Sequence, residues 1–177
     1  RSEFAAAEPP VLKPYLGRAA YAKPTGLKEL WFHTNNICNL SCRHCLVSSA
    51  PWGQGWGIPT GRFLERVDEA VALGVDRFYF TGGEPFVIKD MIKILDYALN
   101  YRPCLVLTHA TAPLQRRIEE ILPLKDKPNT LSFRISIDCP DPVRHDASRG
   151  SGNFHLAWQM IAELHKCGFS VSIARQR

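Results

Sequence analysis

Short apolar runs of strand-forming residues alternate along this chain with longer amphipathic runs. The short runs predict five strands, at residues 30–34, 75–80, 105–107, 131–137 and 169–173. In the longer runs, apolar residues recur at helical spacing, which predicts four helices, at residues 60–74, 91–99, 114–121 and 153–168. Strands and helices that alternate in this way form right-handed βαβ units around a parallel sheet. The sequence therefore predicts an α/β fold, either a doubly wound sheet or a barrel-type sheet, with its functional face in the loops that follow the strands.

The residues at the predicted helix ends indicate where two of these helices start and stop. Thr60 and Asn153 are of the types that cap helix N-termini through their side chains. Gly74 and Gly168 lie where a glycine in the left-handed conformation ends a helix.

The chain divides into a lead-in and a core. Residues 1–28 are expected to form an irregular N-terminal lead-in, because residues 9–28 are rich in proline and glycine. Within it, residues 1–7 are similar to a translated cloning site and are expected to be a cloning remnant. Residues 29–177 are expected to form the core domain. We expect this domain to be incomplete at its C-terminus, so that the chain is an N-terminal fragment, because it ends just after a strand-like run.

Charge and hydropathy restrict the partners. The net charge is +5, and the Lys and Arg residues are scattered rather than gathered in one stretch, so no nucleic-acid partner is expected. No apolar stretch approaches the ~20 residues that span a bilayer, and no signal peptide is recognisable, so we expect a cytoplasmic protein with no membrane partner. Cytoplasmic thiols stay reduced. The six cysteines therefore call for a metal or redox explanation before a disulfide one.

Half of the cysteines lie in one short segment directly after the first predicted strand, Cys38-Asn39-Leu40-Ser41-Cys42-Arg43-His44-Cys45. Three thiolates in one loop can converge on a single centre. A structural zinc ion needs a fourth ligand, and His44 is poorly placed beside Cys45. A cubane iron–sulfur cluster normally takes one thiolate on each iron, so three thiolates leave one iron open to an exogenous ligand. An open iron favours chemistry over a structural role.

Other interpretations of the cysteines stay open. They could form a zinc knuckle that His33 or His44 completes, or remain unligated and behave as small hydrophobic residues. The remaining cysteines form no CxxC pair and are expected to be structural, with Cys104 in the core; they are Cys104, Cys139 and Cys167.

A glycine-rich turn, Thr81-Gly82-Gly83-Glu84-Pro85, ends the second predicted strand. The two glycines permit close backbone approach to a ligand, and their amides and carbonyls could hold a small molecule. A side chain on Gly83 is therefore expected to obstruct that ligand. Glu84 offers an acceptor for an ammonium group, and Pro85 stiffens the turn. Such a sequence can be an ordinary βα turn, but here it follows the cysteine loop by one βα unit and lies at the same face of the sheet.

These two motifs, each directly after a strand, resemble the radical S-adenosylmethionine (radical SAM) superfamily, and in particular its molybdopterin-synthesis and peptide-modifying branches. The resemblance runs from about Leu30 to the C-terminus. It implies a (β/α)6 TIM-like barrel, of which this chain supplies about five strands, and a radical SAM core at residues 29–177. It also implies that a [4Fe–4S] cluster binds Cys38, Cys42 and Cys45, that S-adenosylmethionine binds the fourth iron, and that its cleavage yields a 5′-deoxyadenosyl radical that abstracts hydrogen from a substrate.

The resemblance also implies roles for residues outside the cysteine loop. The segment 82–85 is similar to the loop that holds the methionyl amino group. Ser136 and Asp138 are similar to a segment that contacts the ribose, although they could simply end a strand and begin a turn. Arg149 is similar to an arginine that faces the methionyl carboxylate, although it could be a solvated loop residue. His109 stands where relatives often have asparagine, and it receives no role.

The expected partners follow from the same resemblance. It implies an electron donor such as a flavodoxin or ferredoxin, and a substrate that is a small molecule or a peptide. The alternative function is a non-catalytic module that binds zinc or an iron–sulfur cluster. Trp52 and Trp56, in the glycine-rich loop after the cysteines, could line a pocket or cover the cluster from solvent.

Overall fold

The strands lie side by side in the order in which they occur along the chain. The computed structural model describes residues 26–53 and 55–175, and five parallel strands within them form one sheet in the order β1-β2-β3-β4-β5. Their bounds are Glu29–His33, Arg77–Thr81, Cys104–Thr108, Leu131–Ser136 and Ser170–Ala174. A doubly wound sheet reverses its strand order at a switch point, whereas a barrel keeps the chain order. The α/β prediction is confirmed, and the strand order favours the barrel-type sheet.

Helices connect consecutive strands over most of the described chain. They are α1 (Thr60–Ala72), α2 (Met91–Ala98), α3 (Ala112–Gln115), α4 (Ile118–Ile121), α5 (Pro142–Arg149) and α6 (Asn153–Lys166). None of the helices in the described ranges is both long enough and apolar enough to cross a membrane. Residues 1–25 of the predicted lead-in lie outside the described residues.

The helix predicted at residues 114–121 is instead the pair α3 and α4. Arg117, between them, leaves the helical backbone conformation. Its guanidinium donates hydrogen bonds to the carbonyl oxygens of Ile88 and Lys89, at 2.6 and 2.9 Å. A tertiary contact therefore overrides the local helical pattern.

Helix α5 is absent from the sequence prediction. Its N-cap is Asp141, whose carboxylate accepts a hydrogen bond from the Arg144 amide at 3.0 Å, and Pro142 occupies the first turn. The helix is mostly polar, so it lacks the apolar periodicity on which the prediction relied. The Asp-Pro pair was the available signal.

The expected helix ends are partly confirmed. Gly74 and Gly168 have positive φ angles of 81° and 86°, as predicted for residues that end helices. Thr60 is the first residue of α1 rather than its cap, and its hydroxyl donates to Asp90 at 2.7 Å. Asn153 is likewise the first residue of α6, and its side-chain amide donates to backbone carbonyls. The two N-cap predictions are therefore wrong.

The core lies between the helices and one face of the sheet. On β4, Phe133 and Ile135 are fully buried under the helices, whereas Arg134 and Ser136 alternate with them on the other face. Each large apolar side chain buried in this way stabilises the fold by about 1.5–3 kcal/mol. Cys104 belongs to this core, as predicted. The packed sheet fixes the carboxyl ends of its strands, from which the loops of the site begin.

Candidate functional site

A cavity of about 500 Å³ opens where the carboxyl ends of the strands meet. The structure brings to it all three clustered cysteines, together with five other predicted site residues: Gly82, Gly83, Ser136, Asp138 and Arg149. These residues lie at or after the carboxyl ends of different strands, so the sheet is what assembles them. The volume lies within the ~300–1,000 Å³ of typical ligand pockets.

Backbone amides point at the sulfur atoms of the cysteine loop. The Leu40 amide donates to Cys38 Sγ at 3.4 Å, and the Ser49 amide donates to Cys45 Sγ at 3.3 Å. Hydrogen bonds of this kind favour the thiolate over the thiol. Burial acts in the opposite direction and raises the pKa of Cys38 to about 12. A cationic centre would offset that burial and hold the sulfurs as thiolates.

The donor set and its surroundings fit a bound cluster. Ser49 Oγ lies at this cavity and is buried without a hydrogen-bond partner among the described residues. An unpartnered buried hydroxyl costs about 1–3 kcal/mol, which a bound group can offset. No three His, Cys, Asp or Glu side chains in the described chain are placed to hold a single metal ion. A cubane cluster takes each thiolate on a different iron, so its ligands do not have to converge on one point.

The histidines considered for a zinc site make other contacts. His44 Nε2 lies 3.4 Å from Asp138 Oδ2. The ring of His33 packs against Trp56, with 5.5 Å between the ring centroids. Neither tryptophan of the following loop lines the cavity, and Trp52 is 77% exposed.

The glycine-rich turn is joined to the cysteine loop through its backbone. The Gly83 amide donates to the Asn35 carbonyl at 2.8 Å, and the Glu84 amide donates to the Ile37 carbonyl at 2.9 Å. These amides are therefore not available to a ligand, contrary to the sequence-based expectation. A Cβ on Gly83 would overlap the Ile37 carbonyl oxygen, and one on Gly82 would lie 2.7 Å from the Asn35 carbonyl oxygen. Both glycines are required by loop–loop contact.

The Glu84 carboxylate is buried and does not line the cavity. The Thr108 hydroxyl lies 2.9 Å from each of its oxygens, and the amides of Phe86 and His109 donate to it at 3.1 and 3.2 Å. The expected contact between this carboxylate and an ammonium group is therefore not supported. Pro85 is buried in the 3₁₀ turn that follows and does not line the cavity either. Both residues shape the turn.

Asp138 and Arg149 form a bidentate ion pair beside the cysteines. Arg149 Nε and Nη2 each lie 2.8 Å from a carboxylate oxygen of Asp138, and the Ser148 hydroxyl donates to the same carboxylate at 3.0 Å. Burial acts to raise the pKa of Asp138, but the hydrogen bonds and charge of Arg149 outweigh it and lower that pKa. The Arg149 side chain is only 13% exposed, so it is not a solvated loop residue.

His109 lines the cavity, although no role for it could be predicted from the sequence. It is 6% exposed, and its Nε2 lies 3.5 Å from Cys38 Sγ and 3.1 Å from Glu84 Oε2. Burial lowers the pKa of His109, although the nearby Glu84 carboxylate opposes this. The available signal was its position, directly after the third strand at the same edge of the sheet as the two motifs.

Comparisons with known proteins agree with this geometry. The model of the radical SAM superfamily matches residues 32–175. The antilisterial bacteriocin subtilosin biosynthesis protein AlbA of Bacillus subtilis (strain 168) is 31% identical over 145 residues, which cover 81% of this chain and 32% of AlbA. The mycofactocin maturase MftC of Mycobacterium tuberculosis (strain ATCC 25618 / H37Rv) is 29% identical over 133 residues, which cover 75% of this chain and 33% of MftC. The chain thus spans about a third of the length of these curated relatives.

The same fold is found in solved structures. SuiB of Streptococcus suis bound to S-adenosylmethionine matches with a TM-score of 0.68 and 18% identity, over 84% of this chain and 33% of that one. SuiB bound to precursor peptide SuiA matches with a TM-score of 0.70 at the same identity, over 84% of this chain and 32% of that one. At this identity the likeness concerns the fold.

Proposed function

Since this chain belongs to the radical SAM superfamily, we propose that Cys38, Cys42 and Cys45 bind the family's [4Fe–4S] cluster and that S-adenosylmethionine binds beside it. The observation that carries the proposal is the cavity that these cysteines share with residues of the β2 and β4 loops. When bound, the cluster supplies the electron that cleaves S-adenosylmethionine to a 5′-deoxyadenosyl radical, which abstracts hydrogen from the substrate. The protein would accordingly act as an enzyme.

Groups around the cysteine loop favour the thiolate form, which binds iron. The amides of Leu40 and Ser49 stabilise negative charge on Cys38 and Cys45. Around Cys42, burial raises the pKa, and the positive charge of Arg149 partly opposes it. Backbone amides therefore favour negative charge at Cys38 and Cys45, and the charge of Arg149 favours it at Cys42.

The glycine turn can hold the methionyl amino group through carbonyl oxygens. Those of Gly82 and Gly83 accept no hydrogen bond from the described part of the chain, and both residues line the cavity. An ammonium group has three donors and no acceptor, so carbonyl oxygens suit it. We assign the amino group to these backbone atoms rather than to the Glu84 side chain.

Arg149 keeps donors for the methionyl carboxylate despite its pairing. A guanidinium has five N–H donors, and Asp138 occupies only its Nε and Nη2 atoms. Asp138 fixes the orientation of Arg149, so less rotamer entropy is lost when a carboxylate binds. Ser136, at the end of β4 in the same cavity, is the residue we assign to the ribose.

We infer a peptide substrate. AlbA is named for bacteriocin biosynthesis, and SuiB has been seen with a precursor peptide. Apolar side chains at the cavity support the inference, because Leu46 is fully exposed there and Val47 is nearly half exposed. The electron would come from a flavodoxin or ferredoxin. A cytoplasmic location suits a site that needs free thiols, and all six cysteines are free.

The experiment is anaerobic reconstitution with iron and sulfide, followed by S-adenosylmethionine and dithionite, with 5′-deoxyadenosine as the readout. We expect 5′-deoxyadenosine from the wild type and none above background from Cys42→Ala. Cys104→Ala is the matched control, since this cysteine lies in the core and should leave product formation unchanged. Failure of the loaded wild type to release 5′-deoxyadenosine would contradict the proposal.

A further inference from the structure

His109 joins the cysteine loop to the glycine turn. It follows β3, and Nε2 of its buried ring lies 3.5 Å from Cys38 Sγ and 3.1 Å from Glu84 Oε2. On the other side of the ring, Nδ1 lies 2.9 Å from the Thr111 hydroxyl. Both ring nitrogens therefore have defined partners.

The neighbours of His109 determine which ring nitrogen carries the hydrogen. The side-chain amide of Asn39, in the cysteine loop, donates to Thr111 Oγ1 at 3.2 Å. The hydroxyl keeps its own hydrogen and a second lone pair, so it can serve His109 Nδ1 as donor or as acceptor. The Glu84 carboxylate, 3.1 Å from Nε2, can only accept, so the neutral imidazole carries its hydrogen on Nε2, the nitrogen that faces Cys38 and Glu84, and the Thr111 hydroxyl donates to Nδ1.

Glu84 does not depend on that hydrogen. Its carboxylate already receives the Thr108 hydroxyl and the amides of Phe86 and His109. The Nε2 hydrogen can therefore be shared with a thiolate on Cys38, which carries more negative charge than the thiol. A hydrogen-bond partner that contacts a metal ligand without touching the metal commonly fixes the orientation of that ligand.

We propose that His109 is a positioning residue that donates a hydrogen bond from Nε2 to the Cys38 thiolate and raises the reduction potential of the cluster. The proposal rests on the assignment of Cys38 as a cluster ligand. Hydrogen bonds to cluster sulfurs are among the factors that set iron–sulfur potentials. A donor stabilises the more negative, reduced form, so His109 makes reduction by a physiological donor easier.

The test is a redox titration of the cluster, followed by electron paramagnetic resonance without S-adenosylmethionine, in the reconstituted chain. His109→Leu should retain iron and shift the midpoint potential to a more negative value. His109→Gln keeps an N–H donor, so its midpoint potential should remain nearer that of the wild type. His33→Leu is the matched control: it also removes an imidazole from the cavity, but no cysteine is hydrogen-bonded to His33 among the described residues, so its potential should not move.

Two results would overturn the proposal. One is a His109→Leu cluster with the wild-type potential. The other is an equal shift in the Leu and Gln variants, which would assign the effect to packing. If His109→Leu does not hold iron, His109→Phe decides, because it keeps a ring of similar size without a donor: the potential should move in the negative direction, and no shift counts against the proposal. Full iron retention in Cys38→Ala would instead reject the ligand assignment, and iron analysis distinguishes this outcome from the others.

Discussion

The backbone of Gly83 lies directly against that of Ile37. A methyl group on Gly83 would overlap the Ile37 carbonyl oxygen and lie 2.5 Å from its carbonyl carbon. Ile37 immediately precedes the first cysteine of the site. The glycine turn therefore acts as a support for the cysteine loop.

Gly83→Ala is expected to impair cluster binding as well as S-adenosylmethionine binding. The added methyl would contact the Ile37 backbone. Unlike a flexible side chain, this backbone cannot change rotamer, so the cysteine loop must shift. We expect a clear loss of iron per chain after reconstitution, together with a lower melting temperature. Gly61→Ala, at an open position on α1, is the control and should keep full iron. A Gly83→Ala protein that retains all its iron and loses only S-adenosylmethionine affinity would restore the interpretation drawn from the sequence.

Asp138→Asn is expected to destabilise the protein, because it leaves the largely buried Arg149 guanidinium without its counter-charge. Hydrogen bonds to charged groups contribute about 1.5–3 kcal/mol each, so a loss on the order of 1–3 kcal/mol in the free energy of unfolding is expected for this partly exposed pair. Urea unfolding of the iron-free protein at neutral pH measures it. Asp126→Asn, at an exposed aspartate, should be nearly neutral. An unchanged unfolding free energy in Asp138→Asn would mean that the pair contributes nothing.

The same pair predicts how stability depends on pH. The pKa of Asp138 is lower in the folded protein than in the unfolded chain, where it is about 3.9. The contribution of the pair is therefore fully present above that unfolded value and is lost as the pH falls through the folded pKa. In urea unfolding from pH 7 to pH 2, the difference between wild type and Asp138→Asn should shrink at acidic pH. A difference that grows on acidification would contradict this sign.

Asp146→Ala is expected to loosen the start of α6. Its carboxylate accepts hydrogen bonds from the Gly152 amide at 2.6 Å and the Phe154 amide at 2.8 Å, so it caps the helix from a distance in sequence. Loss of a cap typically costs about 0.5–2 kcal/mol. Thermal unfolding compared with Asp126→Ala, an exposed control, measures it. Equal melting temperatures for the two variants would show that the contacts of Asp146 do not stabilise the helix.

The sequence predicts most of the frame and part of the site. The strands are predictable because buried residues such as Phe133 and Ile135 produce a local apolar pattern. Helix α5 could not be predicted from apolar periodicity, because its stability comes from the Asp141 cap and from tertiary contact rather than from an apolar face. The cysteine segment and the glycine-rich turn allow us to predict which residue types meet at the carboxyl ends of the strands. The direction of the Glu84 carboxylate and the position of His109 could not be predicted, because both depend on how two loops meet in space.

The most direct test of the central claim is the iron and sulfide content of six variants, each with one cysteine replaced by alanine, reconstituted in parallel. We predict that Cys38→Ala, Cys42→Ala and Cys45→Ala each lose most of their iron. The other three variants, Cys104→Ala, Cys139→Ala and Cys167→Ala, should keep wild-type iron, and Cys104→Ala should lose roughly 1 kcal/mol of packing stability. Full iron content and an unchanged cluster spectrum in Cys42→Ala, or loss of the cluster in Cys139→Ala or Cys167→Ala, would contradict the assignment.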